Sequence, residues 1–111
     1  MIALSSVVAS LGALAQEHRL AIFRMLVQAG DAGLAAGSIA ERLSVPPSSL
    51  SFHLAHLNRV ALIEQRRSGR MLIYRANYSV INGLIDYLTE NCCGGADCSS
   101  ASATTETEDA A

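Results

Sequence analysis

The sequence predicts a mainly α-helical fold carrying one small β-hairpin, and three observations lead there. Apolar residues recur at helical spacing in separate stretches between Leu4 and Leu88. One stretch, Leu62–Arg66 followed by Arg70–Arg75, instead reads as two short strands around a Ser68-Gly69 turn. The whole chain is 111 residues, the size of a single domain, which at this length buries roughly 60 to 70 % of its unfolded surface.

Taken in order, the first element lies within Ile2–Ala15, which carries no charge. Leu4, Val7, Val8, Leu11 and Leu14 repeat there at helical spacing with Ser5, Ser6 and Ser10 between them, as expected of a helix packed on one face. The ending Ala13-Leu14-Ala15 has the look of a secretory cleavage site, but no positively charged segment precedes it. The stretch is also too short and too rich in serine to span a membrane. A second helix covers Glu17 to Ala29, with Leu20, Ile22, Phe23, Leu26 and Val27 inward and Gly30 as its stop. Asp31 to Gly37 reads as a loop. Ser38 to Leu43 forms a short helix with Ile39, Ala40 and Leu43 inward, and Ser44-Val45-Pro46-Pro47 interrupts it. Proline is tolerated in the first turn of a helix, where its missing N–H is not needed, so a new helix starts at Pro47 and runs to Val60. Its buried stripe is Leu50, Leu54, Leu57 and Ala61. The last helix, Tyr78 to Asn91, carries Val80, Ile81, Leu84, Ile85 and Leu88 on one stripe, a natural surface for helix-to-helix association.

The formal charge of −2 conceals a division. Residues 1–91 carry eight arginines against six acids, whereas residues 92–111 carry four acids and no base. Within residues 42–75 six arginines face one glutamate, so positive field concentrates on the paired helices and the hairpin. On the outward side of the Pro47 helix lie Ser48, Ser49, Phe52, His56 and Arg59, with Ser51 and His53 at the edges of the stripe. Serine hydroxyls beside free backbone N–H groups suit phosphate oxygens, and residues further along can reach base edges in the major groove. Phe52 is unusual on a solvated face; it suits a thymine methyl or sugar, or a neighbouring loop. Arg67 and Arg70 flank the hairpin turn, where they can hold phosphates or enter the minor groove, although an arginine-rich hairpin can also be a soluble edge.

These residues resemble the ArsR/SmtB family of winged helix-turn-helix repressors. The stretch Ser48-Ser49-Leu50-Ser51-Phe52-His53-Leu54-Ala55-His56-Leu57 matches that family's recognition-helix pattern, and Arg67-Ser68-Gly69-Arg70 with Tyr74 matches its wing. The similarity covers roughly residues 4–91 and includes the run Arg19-Leu20-Ala21-Ile22-Phe23-Arg24-Met25-Leu26. It implies a homodimer built on the first and last helices, through Leu4, Val8, Leu11, Ile81, Leu84, Ile85 and Leu88. It also implies operator double-stranded DNA as the partner, released when an inducer binds. Two positions depart from the pattern: Ala61 replaces the glycine that commonly ends the recognition helix, and Pro46 replaces a serine-type cap.

All three cysteines fall in Cys92-Cys93-Gly94-Gly95-Ala96-Asp97-Cys98. An odd, clustered set is a poor disulfide framework for a secreted domain and points to the cytoplasm. Three thiolates without a fourth ligand suit tetrahedral zinc poorly. Trivalent arsenic or antimony, with a stereochemical lone pair and a pyramid of three sulfurs, suits them better. Neighbouring cysteines cannot point at one atom from a regular helix, so the helix should fray near Asn91 and Gly94-Gly95 should let Cys98 fold back. The arrangement resembles the arsenic-responsive subgroup whose cysteines follow the last helix. The family's zinc ligands on that helix reduce here to Asp86 and Glu90, and its Cys-x-Cys site is absent from Gly37–Leu43. No zinc is expected. A cysteine nucleophile would need a base, and His18, His53 and His56 belong to other elements, so no catalytic residue is assigned and the chain is not read as an enzyme. A thiol redox regulator using the same cysteines is the alternative. The domains follow: residues 1–91 bind DNA and dimerise, residues 92–98 form the metalloid segment, and the Ala-, Ser- and Thr-rich residues 99–111 are expected to be disordered.

Overall fold

The computed structural model describes residues 3–95. Helices α1 (Leu4–Leu14), α2 (Glu17–Ala29), α3 (Ala36–Leu43), α4 (Pro47–Arg59) and α5 (Tyr78–Leu88) surround a small sheet of β1 (Leu34–Ala35), β2 (Ile63–Ser68) and β3 (Met71–Ala76). The fold is mainly helical with a wing-like hairpin, as the sequence predicts. The sheet, however, has three antiparallel strands in the order β1-β3-β2.

The unexpected strand lies inside the predicted loop. Gly30–Ala32 forms a 3-10 turn, Leu34 pairs with Tyr74 and Ala35 with Ile73, and α3 begins at Ala36. Gly33, at φ 68° and ψ −168°, joins the turn to the strand in a conformation reserved for glycine.

α1 docks by its small residues. Val7, Ser10 and Ala13 are buried against the rest of the protomer, while Leu4, Val8 and Leu11 face outward, contrary to a single inward leucine stripe. The small side permits close approach to α2 and α4, and the bulkier side is left exposed. In α2 the Gln16 side chain caps the start by accepting the Arg19 backbone N–H at 2.9 Å, and Gly30 (φ 74°) ends it. Ile22, Phe23 and Leu26 are buried, but Leu20 and Val27 lie at the margins and remain exposed. Hence the apolar stripe is narrower than the sequence suggests.

The α3–α4 turn passes through left-handed Ser44 (φ 55°), and Pro47 opens α4 as expected. Leu50, Leu54 and Leu57 are buried, each contributing roughly 1.5–3 kcal/mol. They meet Ile22, Phe23, Leu26, Ile39, Leu62, Ile63 and Ala76 in one core. Ala61 does not extend this stripe. The helix ends at Arg59 and the chain reverses at Ala61 with φ 64°, so Ala61 is exposed and Leu62 takes the buried place.

That geometry suits glycine, the residue the family resemblance leads one to expect at this position. A left-handed L-residue costs roughly 1–2 kcal/mol, part of which glycine returns as greater freedom of the unfolded chain. Ala61→Gly is therefore expected to stabilise the domain by about 0.5–1 kcal/mol, read as a higher midpoint in thermal unfolding. A lower midpoint would refute the strain at Ala61.

The hairpin turn is displaced by one residue. Ser68 pairs with Met71, which leaves Gly69-Arg70 as the turn in place of Ser68-Gly69, and Gly69 (φ 63°) meets the demand for positive φ at its first position. α5 ends at Leu88, earlier than Asn91. Leu84 is buried within its own protomer and Ile81 half-buried, whereas Ile85 and Leu88 are exposed.

Candidate nucleic-acid interface

α4 turns one side to the core and the other to solvent. Ser48, Ser49, Ser51 and Phe52 are exposed, Arg59 lies further along the same helix, and His53 and His56 are half-buried. Phe52 is 64 % exposed, and its ring neighbour among the described residues is His53, edge-on at 5.8 Å between centroids. An aromatic held out from a helix amid serines and histidines offers an apolar surface for a base methyl or a sugar.

His53 turns back toward α2. Its Nδ1 lies 3.5 Å from Arg19 Nη1, and its ring centre 5.5 Å from that of His18. Partial burial, followed by the positive charge of Arg19 and the nearby His18 and His56, lowers the His53 pKa below its ordinary 6.5. His56 is lowered as well, by desolvation first and then by Arg19 and Arg59. A histidine with a lowered folded value contributes stability that is present above the unfolded value and lost as pH falls through the folded one. Both rings thus favour the neutral form around pH 7.

The hairpin arginines, alike in sequence, divide into two groups. Arg75 donates from Nε to Glu64 Oε1 at 3.0 Å and from Nη1 to Asp31 Oδ1 at 3.2 Å. Arg66 Nη1 donates to the Asp31 carbonyl at 3.3 Å. Asp31, in the turn after α2, therefore ties down both strands. Arg67 and Arg70 make no ion pair or hydrogen bond among the described residues and stand exposed around the Gly69-Arg70 turn. They alone of the four are unengaged by the protein. Between α4 and the hairpin, Ser51, Asn58, Gln65 and Tyr74 line a cleft of about 250 Å³ with Leu54 and Ala55. Sequence reasoning missed Asn58, Gln65 and Arg19, because the contacts that place them join elements distant along the chain.

Beyond α5 the backbone breaks from the helix: Asn91 and Cys93 both have φ 57° and Gly94 has φ 66°. Cys92–Gly95 forms a kinked 3-10 turn. Cys92 and Cys93 are both disulfide-bonded. Cys98 lies outside the described residues. Among the described residues no group of three His, Cys, Asp or Glu side chains is placed to hold a metal ion, and no helix is long and apolar enough to cross a membrane.

Two helices joined by a tight turn, the second with a polar outer face, followed by an arginine-tipped hairpin, define a winged helix-turn-helix DNA-binding protein. Known proteins agree. Residues 14–66 match a family described as a helix-turn-helix domain. The transcriptional activator HlyU of Vibrio cholerae is 35 % identical over 78 residues, 70 % of this chain and 69 % of that protein. An ArsR-like transcriptional regulator from Rhodococcus sp. RHA1 superposes with a TM-score of 0.70 at 25 % identity, covering 94 % of this chain and 96 % of that one. The homodimeric winged helix-turn-helix domain of Mb0332 from Mycobacterium bovis, a possible ArsR-family regulator, gives 0.64 at 27 % identity over 84 % and 86 % of the two chains. The chain belongs to the ArsR/HlyU family of DNA-binding transcriptional regulators.

Proposed function

We propose that this chain is a metalloid-responsive repressor. It holds operator DNA as a homodimer and releases it when As(III) or Sb(III) is bound by Cys92, Cys93 and Cys98. The observation that carries this reading is that every cysteine of the chain falls in the sequence shortly after α5, and that at Cys92 and Cys93 the backbone has left the helix. In a continuing helix, neighbouring side chains diverge by about 100°. The left-handed residues Asn91, Cys93 and Gly94 remove that obstacle to convergence on one ion. The disulfide bonding of Cys92 and Cys93 supports the reading that sulfurs of this segment approach one another closely. Sulfurs that close can chelate one pyramidal ion once an external thiol reductant supplies two electrons and two protons, returning the disulfide to thiols and itself becoming a disulfide.

The exposed apolar residues of α1 (Leu4, Val8, Leu11) and of α5 (Ile85, Leu88) support a dimer built on these helices. The cysteine segment follows α5 directly, so an ion that folds it down acts where two subunits meet. A coupling of about 1–3 kcal/mol, roughly 5- to 150-fold in affinity, is enough, and by reciprocity DNA must weaken metalloid binding by the same factor.

The test is fluorescence anisotropy of the reduced protein on DNA from upstream of its coding region, titrated with arsenite and separately with zinc. Arsenite is expected to release the DNA, zinc to leave it bound, and Cys92→Ser to abolish the release. Metalloid affinity unchanged by saturating DNA would refute the coupling. The disulfide bonding of Cys92 and Cys93 favours one second reading, a regulator switched by oxidation of the same thiols. Release by mild peroxide, with arsenite inert, would select it.

A further inference from the structure

Arg19 lies in α2, away from the surface assigned to DNA, yet it bridges two elements of different purpose. Its Nε donates to the Ala13 carbonyl in the last turn of α1 at 2.7 Å, and its Nη1 reaches His53 Nδ1 on α4 at 3.5 Å. Its own backbone N–H is engaged by the Gln16 cap. The guanidinium is thus anchored at one end before it meets the histidine at the other.

A guanidinium has donors and no acceptor. The histidine nitrogen facing it must therefore be the bare one. In a neutral imidazole the proton then resides on Nε2, the nitrogen directed away from Arg19. We propose that Arg19 is a positioning residue of the DNA-reading helix: by donating to His53 Nδ1 it fixes the ring's rotamer and tautomer, so that His53 presents an Nε2–H donor to the DNA. This rests on the reading of α4 as the helix that enters the groove. A donor at that place suits a guanine O6 or N7, a thymine O4 or a phosphate oxygen. Among the described residues the other charged or titratable groups facing His53 are His18 on α2 and His56 on α4, with no carboxylate beside them. All of them disfavour a second proton on the ring, consistent with its lowered pKa.

The arrangement also links the helix proposed to form the dimer with the helix that reads DNA. Ala13 is fully buried, so a movement of α1 carries the carbonyl and with it the guanidinium. A direct phosphate contact by Arg19 is the competing account of any loss of affinity, and salt separates the two. Each neutralised phosphate contributes about 0.9 to the slope of log affinity against log salt, whereas a positioning residue contributes nothing to it.

The experiment is long-range ¹⁵N–¹H NMR of the histidine rings in the full-length protein, together with DNA anisotropy at several salt concentrations, for wild type and Arg19→Gln. Wild-type His53 is expected to carry its proton on Nε2. In Arg19→Gln the His53 pKa is expected to rise toward 6.5 and operator affinity to fall about five- to tenfold, the worth of one hydrogen bond, at unchanged salt slope. In a cycle with His53→Ala, the Arg19 change is expected to cost almost nothing further. Wild-type His53 protonated on Nδ1 overturns the proposal without any variant having to fold. So do additive losses in the cycle, or a slope flatter by about one phosphate. Should wild type bind none of the DNA tried, that result bears on the reading of α4, and the ring spectra still decide whether Arg19 sets the tautomer.

Discussion

Gly33→Ala is expected to be the most damaging single-atom change in the domain. Two costs combine at this position. At φ 68° and ψ −168° the backbone occupies a region essentially closed to residues with a Cβ, a strain of order 1–3 kcal/mol. An added Cβ would also press on the Tyr74 carbonyl oxygen and lie 2.9 Å from Ile73 Cγ2, both in β3. Neither the strand backbone nor the branched side chain can yield cheaply, and forcing them apart costs a further 1–3 kcal/mol or so. A total loss of about 3 kcal/mol is a large part of the 5–15 kcal/mol typical of a domain and corresponds to a midpoint at least about 10 °C lower. Gly30→Ala is the matched control. Gly30 has φ 74° and ψ −158°, but an added Cβ there meets nothing within 4 Å. Equal losses at the two sites would show that backbone strain acts alone and that β1 does not press on β3 as described.

The second large effect concerns DNA. Replacing both Arg67 and Arg70 with alanine is expected to lower operator affinity by at least about tenfold at physiological salt. The slope of log affinity against log salt should become shallower by about 1.8, the release of counterions from two phosphates. Thermal stability should hardly change, because neither guanidinium bonds to the protein among the described residues. Arg75→Ala should behave differently: its guanidinium lies between Glu64 and Asp31, so its loss acts through the posture of the hairpin. A double variant with unaltered salt slope would remove the hairpin tip from the DNA contact.

Much of this architecture is legible in the residues themselves. Gly30 and Pro47 punctuate the chain where α2 ends and α4 begins, and the spacing of Leu50, Leu54 and Leu57 identifies the buried side of α4. Chemistry that depends on distant partners is not legible. Leu34-Ala35 is too short to show a strand period and becomes one only because β3 lies beside it. α1 carries two overlapping apolar arcs, and the choice of Val7, Ser10 and Ala13 for the buried side follows from how closely α2 and α4 approach. Ala61 continues the leucine spacing on paper, yet a left-handed backbone takes it out of the core. In the site, the serines and Phe52 stand exposed where the helical pattern puts them. The sorting of four similar arginines depends on Asp31, and the partner of His53 is 34 residues away.

The anchoring of the hairpin at Asp31 has a consequence for the choice of DNA. Arg66 and Arg75 fasten both long strands to the turn after α2, and β1 fastens β3 from the other side. The separation between α4 and the hairpin tip is consequently set before DNA arrives, like the opening of a caliper. A fixed gauge cannot widen to suit each duplex; with α4 in a groove and the tip on the backbone, as proposed, the duplex would have to conform by narrowing or bending. The energy of that deformation depends on base steps that no side chain touches. Operators should accordingly differ in affinity through their stiffness as well as through the bases that are read.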